Sequence, residues 1–373
     1  MERRINTSEL NIYMAEYVAS TADKPISILN LGALEEEVSQ FMEKGAFDYI
    51  QSGAESEWTL RRNEAAFDDR QILPRVLSGV ENPDLSTHFM GIPLSTPIIM
   101  APAAAHGLAH KDGEVATAKG VAQAGTLMCI SNYANRTLED IAAAGGGSPQ
   151  MFQLYMSNDD SFNEYLLQKA HHLGMKAVIL TADTTTGGNR EADRANNFAF
   201  PLPMPNREKP SAGAGQGIGT VLASARQRIA PADVASIAAM SKLPVIVKGI
   251  QTPEDAMIAI GAGAAGVYVS NHGGRQLDGA PGSFDMLESI AAAVNKRVPV
   301  IFDSGVRRGQ HVFKALACGA DVVGIGRPVI YSLALGGPQG AAAVFQHLNM
   351  ELKTVMQLAG CQNIEAVKNT YLI

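Results

Sequence analysis

Eight short runs of almost unbroken apolar character recur through the chain, at Pro97–Ala101, Thr126–Ile130, Met151–Tyr155, Ala177–Ala182, Pro244–Lys248, Gly266–Ser270, Pro299–Asp303 and Val322–Gly326. Runs this short, without polar alternation, describe strands buried on both faces, as in a parallel sheet. Between them the apolar positions change to a helical period over Gly113–Gln123, Asp160–Leu173, Pro231–Met240, Pro253–Ile260, Phe284–Val294 and Gly309–Cys318. Thr252-Pro253-Glu254-Asp255 sets a capping hydroxyl before a proline and two acids, a strong helix start. Strands alternating with helices across residues 97 to 327 predict a (β/α)8 TIM barrel, close to the length usual for that fold. A doubly wound open sheet is the competing topology. It normally carries a glycine-rich turn after its first strand, and Met100-Ala101-Pro102-Ala103-Ala104-Ala105-His106-Gly107 is not one.

The remaining stretches read as additions to one domain spanning residues 1–373. Residues 1–96 form an N-terminal extension with a helix expected over Leu34–Met42. The runs Gln71–Leu77 and Ser86–Gly91 are expected to pair as a hairpin closing the barrel's lower end. The connection from Thr184 to Ala230 is far longer than an ordinary βα loop, and its middle, Pro201–Gly219, is rich in proline and glycine. Such a loop acts as a cover or is an insertion. Residues 328–373 read as a C-terminal helical region.

Composition narrows the function. Of the 373 residues, 46% are hydrophobic and 18% charged, the balance of a soluble globular protein. A net charge of −7 and no basic run exclude nucleic acid as a main partner, so an anionic substrate needs local cations. Met1-Glu2-Arg3-Arg4 leads into polar sequence without the apolar core of a secretory signal, and no apolar run is long enough to span a bilayer. Three widely spaced cysteines, Cys129, Cys318 and Cys361, fit a reducing cytoplasm better than a disulfide framework. Cys129 and Cys318 fall in apolar stretches and read as core.

In such a barrel the chemistry sits where the strands end at their carboxyl side. Those positions give Ala103 and Ala104, Ser131, Gln153 and Tyr155, Thr181 and Asp183, Lys248, His272 and Arg275, Asp303, Gly305 and Arg307, and Gly326 with Arg327. Lys248 and Asp183 are costly to leave unpaired beside buried strands, so each is expected to meet a charge or a ligand. Ser270-Asn271-His272-Gly273-Gly274-Arg275-Gln276-Leu277-Asp278-Gly279 follows the sixth run and joins a base to a fixed cation across two glycines. That spacing lets backbone approach a flat ligand while both side chains reach one small anion. Gly305 with Arg307, and Gly326 with Arg327, lie on the last two strand ends, where barrels commonly bind phosphate.

These residues carry a resemblance. Phe47-Asp48-Tyr49-Ile50, Ser52-Gly53-Ala54-Glu55, Met100-Ala101-Pro102, Thr181-Ala182-Asp183, Val247-Lys248-Gly249-Ile250, the Ser270–Asp278 stretch, Phe302-Asp303-Ser304-Gly305-Val306-Arg307-Arg308-Gly309 and Gly326-Arg327-Pro328 are spread in order over residues 28 to 360. In them the chain resembles the FMN-dependent α-hydroxy-acid oxidizing enzymes, and Ala104–His110 and Leu333–Gly337 look most like the bacterial lactate oxidases.

The resemblance implies FMN as cofactor, a short L-2-hydroxy acid as substrate, O2 as acceptor, release of hydrogen peroxide, a homotetramer and no membrane attachment. It makes His272 the base, whether the α hydrogen leaves as proton or hydride, and Asp183 its partner. Arg275 and Arg190 would clamp the substrate carboxylate, with Tyr49 and Tyr155 donating beside them. A solvated side chain is the alternative for Arg190. Lys248 would face the electron-rich edge of the reduced flavin. Ala103, Ala104, Ser131, Gln153, Thr181 and Ser270 would line or hold the ring, Asp303 the ribityl chain, and Gly305, Arg307, Gly326 and Arg327 the phosphate. Small Ala103 and Ala104 favour lactate over mandelate.

The chain also departs from the family: Ser56 stands where an acid is common, Phe200 where lactate oxidases have a tyrosine, and Leu222 at the position of a gating tyrosine. Lactate 2-monooxygenase and glycolate oxidase are the rivals within the family. A flavin-free phosphate-binding isomerase or aldolase, and a non-catalytic binding module, are the rivals outside it.

Overall fold

The computed structural model describes residues 17–206 and 225–373, so Leu222 and most of the proline- and glycine-rich stretch lie outside the described residues. Three helices open the described chain: α1 (Leu31–Ser39), α2 (Lys44–Gln51) and α3 (Trp58–Ala65). α1 starts earlier than the Leu34–Met42 expectation because Asn30 Oδ1 accepts the Ala33 N–H at 2.9 Å, an N-cap.

A hairpin of β1 (Thr87–Phe89) and β2 (Ile92–Leu94) follows. This corrects the expected pairing with Gln71–Leu77. Met90 and Gly91, at φ 50° and 77°, make the two-residue turn whose twist suits a hairpin. The Gln71–Leu77 run instead covers the carboxyl terminus, with Gln71 and Ile373 exchanging N–H···O bonds of 2.6 and 3.0 Å.

All eight apolar runs become strands, β3 (Ile98–Ala103), β4 (Met128–Ser131), β5 (Gln150–Leu154), β6 (Val178–Thr181), β7 (Val245–Ile250), β8 (Gly266–Val269), β9 (Val300–Phe302) and β10 (Val322–Ile325). They close into a parallel barrel in the order β10-β3-β4-β5-β6-β7-β8-β9. Ile99, Cys129, Met151, Ile179, Ile246, Tyr268, Ile301 and Val322 fill its interior, and Phe89 and Leu94 of the hairpin join that cluster. The hairpin therefore plugs the lower end, as its position in sequence implied. The other face of each strand packs under the helices, and all three cysteines are buried free thiols.

The long connection after β6 is tied to the barrel where it is described. Asn206 Oδ1 accepts the Leu138 N–H at 2.8 Å, Asn135 Nδ2 donates to Pro203 O at 2.9 Å, and Ala225 bridges Ser157. A long helix, Arg327–Ala359, is broken at Gly337, whose φ is 60°, ahead of Pro338, and the short helix Ile364–Lys368 follows it.

α3 positions the site although its sequence carries no apolar stripe. It buries Thr59 and Asn63 against the loop after β8. Asn63 and Asn271 exchange amide bonds of 2.9 and 2.7 Å, and Asn63 Oδ1 also accepts the Ser283 N–H at 3.0 Å. This contact explains Gly274 of that loop and Gly305 of the loop after β9. A Cβ on Gly274 would lie 2.6 Å from Leu60 Cα, and one on Gly305 would lie 2.1 Å from Asn63 O. Gly274 and Gly279 both have positive φ, but nothing lies within 4 Å of a Cβ at Gly279. Gly279→Ala is therefore expected to cost only the left-handed strain, about 1 kcal/mol. Gly274→Ala adds the clash with α3, for about 3 kcal/mol in total. Chemical denaturation of the two variants side by side checks the difference, and equal losses would remove α3 packing as the reason for Gly274.

Candidate active site

The upper ends of the strands surround an open cavity of about 1150 Å³. Tyr49, Ala103, Ala104, Ser131, Tyr155, Arg190, Lys248, His272, Arg275, Asp303, Gly305, Arg307, Gly326 and Arg327 line it, all of them positions singled out in the sequence. Asp183 and Ser270 lie outside the lining and hydrogen-bond to His272 and Lys248 within it, while Gln153 and Thr181, also outside it, bond each other.

His272 is held from every side. Its backbone is left-handed at φ 60°, followed by Gly273 at 65° and Gly274 at 76°, a strained turn of the kind found at functional sites. The His272 N–H donates to Ser270 Oγ at 3.1 Å and the Gly273 N–H to Ser304 Oγ at 3.1 Å. His272 Nδ1 lies 3.1 and 3.2 Å from the two oxygens of Asp183. A carboxylate there accepts, so the proton sits on Nδ1 and Nε2 presents its lone pair to the Tyr155 hydroxyl, 3.1 Å away.

Burial pulls the imidazole pKa below its ordinary value, and Asp183 only partly offsets this, so the ring is neutral. Burial pushes the Asp183 carboxyl up, but the neighbouring His272 imidazole and its hydrogen bond, with Lys248, bring it below its ordinary value. Asp183 fits because Gly249 faces it: a Cβ there would lie 2.6 Å from Asp183 Cβ.

Two arginines share the carbonyls at the end of α2. Arg275 Nη1 donates to Ser52 O at 2.8 Å, and Arg327 donates to Ile50 O at 3.0 Å, Ser52 O at 3.1 Å and Gly273 O at 3.0 Å. A helix carboxyl end suits such cations. Burial, with repulsion from Arg190 and Arg327, brings Arg275 down to about 9, so it remains charged at neutral pH. Arg190 and Arg275 both lie against the Tyr49 ring, at 5.6 and 5.2 Å from its centre. Arg190 is thus buried in the site and not the solvated side chain that a polar loop suggests.

Lys248, at the end of β7, donates to Ser270 Oγ at 3.0 Å, with Asp303 Oδ2 at 4.0 Å. Gln153 Nε2 donates to Thr181 Oγ1 at 2.8 Å, while Gln153 Oε1 is buried without a partner. At the other end of the cavity Gly305 has φ 79°, Arg307 meets Glu64 of α3 at 2.9 Å, and the Arg327–Ala359 helix begins with Pro328 in its first turn.

The departures have local partners. Ser56 Oγ donates to Asp278 Oδ2 at 2.6 Å, and Glu57 Oε1 takes the Gly53 N–H at 2.8 Å. Phe200 is buried edge-on to Tyr49, with ring centres 5.6 Å apart. Sequence reading missed Tyr133, which lines the cavity and packs on Tyr155 at 4.6 Å between centres. It sits in a turn two residues beyond Ser131, past the strand-end positions that carried the signal.

Comparison with known proteins follows the same outline. The family model for FMN-dependent dehydrogenases matches residues 38–373. An L-lactate oxidase of Lentilactobacillus hilgardii is 58% identical over 96% of this chain and 97% of its own. A glycolate oxidase of Spinacia oleracea is 40% identical over 93% of this chain and 96% of its own. The crystal structure of a lactate oxidase from Pediococcus acidilactici superposes with a TM-score of 0.92, at 58% identity over 96% of this chain and 98% of that one. A mandelate oxidase solved with 2-hydroxy-phenylacetamide gives 0.84 at 32% identity, covering 93% and 99%. With nearly its whole length matched, the chain belongs to the FMN-dependent dehydrogenase family, and its cofactor is FMN.

Proposed function

We propose that the chain oxidises a short L-2-hydroxy acid, L-lactate above all, to the 2-oxo acid, and that O2 takes the electrons and leaves as hydrogen peroxide. The observation that carries this reading is His272, neutral, pinned at Nδ1 by Asp183 and turned at Nε2 into a cavity lined by two guanidiniums. Membership in an FMN-dependent family leaves no place for a flavin-free isomerase or aldolase.

The residues present fit FMN. The unpartnered Gln153 Oε1 offers an acceptor for a ring N–H, and the Gly326 backbone is bare, with nothing within 4 Å of a Cβ. Ser131, Gln153 and Thr181 would hold the ring against Ala103 and Ala104, and Asp303 the ribityl chain. Gly305, Arg307, Gly326 and Arg327 would take the phosphate, with Ser270 supporting Lys248 from below. When bound, FMN supplies a two-electron acceptor that O2 reoxidises. Lys248 would set a positive charge where reduction adds a negative one.

The substrate carboxylate would meet Arg275 and Arg190, with the Tyr49 and Tyr155 hydroxyls beside it. His272 Nε2 would take the proton, and Asp183 would stabilise the imidazolium. Ala103 and Ala104 line the cavity where a side chain would lie and favour the methyl of lactate over a phenyl group. The same reading has a cytoplasmic homotetramer, which buried free thiols and exposed Val76, Leu77 and Leu358 support. Phe200, which brings no hydroxyl to Tyr49, favours a second reading in which pyruvate stays and lactate 2-monooxygenase chemistry follows.

Oxygen uptake with L-lactate separates the two. Free peroxide returns half its oxygen through catalase, so uptake is expected to halve when catalase is added; uptake insensitive to catalase supports the monooxygenase. His272→Ala is expected to lower kcat by about 10³-fold while the protein stays yellow. Turnover near the wild-type rate would remove His272 as base. The lowered pKa of His272 keeps the base form populated down through the ordinary histidine range, so kcat/KM falls only as pH drops through that lowered value. Asp183→Asn removes the charge that holds this pKa up, so the acid limb moves lower still while kcat falls by about 10²-fold. Ala104→Gly widens the pocket and is expected to raise longer acids relative to lactate in kcat/KM; an unchanged ranking would detach Ala104 from selectivity.

A further inference from the structure

Asp193 is a buried carboxylate that the reading above leaves without a task. It lies in the short helix Glu191–Ala195 of the long connection, and its side chain is 4% exposed. Both of its oxygens are buried without a hydrogen bond, so it caps no helix and closes no turn. Its nearest cation is Arg190, whose Nε stands 3.4 Å from Oδ2. Burial pushes its pKa above the ordinary carboxylate value, Arg190 and Arg275 pull it back toward the charged form, and Asp48 opposes them. An uncompensated buried carboxylate costs several kcal/mol, which sequences retain where the charge itself is used.

Resting on the proposed hydroxy-acid oxidation, we propose that Asp193 is the counter-ion of the Arg190–Arg275 pair and limits the pocket to monocarboxylates. Two guanidiniums meet on one Tyr49 ring, at 5.6 and 5.2 Å from its centre. Alone they would present two positive units. With Asp193 they present one, which a single substrate carboxylate neutralises. A second carboxylate on the ligand then finds no charge left on this arginine pair and repels Asp193 at low effective dielectric. The ion pair also fixes the direction of Arg190, which otherwise is free to turn outward with its loop. Asp193 is thus a positioning residue that sets charge selectivity without touching the substrate.

The test uses the FMN-loaded protein and two unreactive probes, propanoate with one charge and malonate with two, titrated through the change in flavin absorbance. Asp193→Asn keeps the shape and removes the charge. It is expected to raise the affinity for malonate relative to propanoate by about tenfold over wild type. Asp193→Glu keeps the charge and is expected to hold the wild-type ratio. Because the ratio is taken within one protein, partial loss of folded material does not move it. A ratio in Asp193→Asn within twofold of wild type, beside normal lactate oxidation by the wild type, overturns the counter-ion role alone. Failure of the wild type to oxidise any short 2-hydroxy acid overturns the proposed function and this proposal with it.

Discussion

The reciprocal amide pair of Asn63 and Asn271 joins the N-terminal extension to the catalytic loop, and the rest of the site depends on it. Each buried amide gives and takes one hydrogen bond, and Asn271 Oδ1 additionally accepts the Gly274 N–H at 3.1 Å. Breaking one side leaves donors and acceptors stranded where water cannot reach them, a loss of about 1–3 kcal/mol per group. The pair also brings α3 so close that glycine is required at Gly274 and Gly305. One loop carries His272 and Arg275; the other carries Arg307. A single helix outside the barrel therefore registers His272, Arg275 and Arg307 against one another.

Electrostatics within that frame follows from burial. His272, Asp183, Arg275 and Arg327 lie where water is scarce, and burial is the largest influence on each. For His272 it favours the neutral form that a base needs. For Asp183 the neighbouring imidazole and Lys248 overcome it and keep the carboxylate charged. Arg275 and Arg327 end on the same carbonyls of α2, whose partial negative charge offsets part of their cost. The cavity is thus polarised before any ligand enters it, with cations lining it from Arg307 and Arg327 round to Arg275 and Lys248.

The barrel was legible because its strands are buried on both faces and carry unbroken apolar runs, which no surface element does. Their ends shifted by at most two residues, since hydrogen-bond pairing and not hydrophobicity stops a strand. The residues around the cavity were legible for the opposite reason: polar and charged side chains directly after buried strands are too costly to be incidental. α3 was not legible. Trp58-Thr59-Leu60-Arg61-Arg62-Asn63-Glu64-Ala65 buries a threonine and an asparagine instead of an apolar stripe, so periodicity had nothing to register. The hairpin was mispaired because Gln71–Leu77 has strand composition, whereas the true partner, Ile92–Leu94, is three residues long and was overlooked behind its Met90-Gly91 turn.

The reason given for the glycines after His272 changed as well. Their spacing pointed to a flat ligand against bare backbone, yet Gly274 yields to Leu60, and a Cβ on Gly273 would lie 2.7 Å from Arg327 Nη1. The same two residues still serve the ligand, at one remove: they let α3 and Arg327 close in behind the loop, which forces His272 into its left-handed turn and aims Nε2 into the cavity. Asp193 has the same character. In sequence it is one acid in a polar helix, indistinguishable from a solvated face. Only the fold removes its water, takes away its hydrogen bonds and sets it against an arginine of the cavity, and it is that combination, invisible in one dimension, which turns an ordinary aspartate into a charge the pocket has to account for.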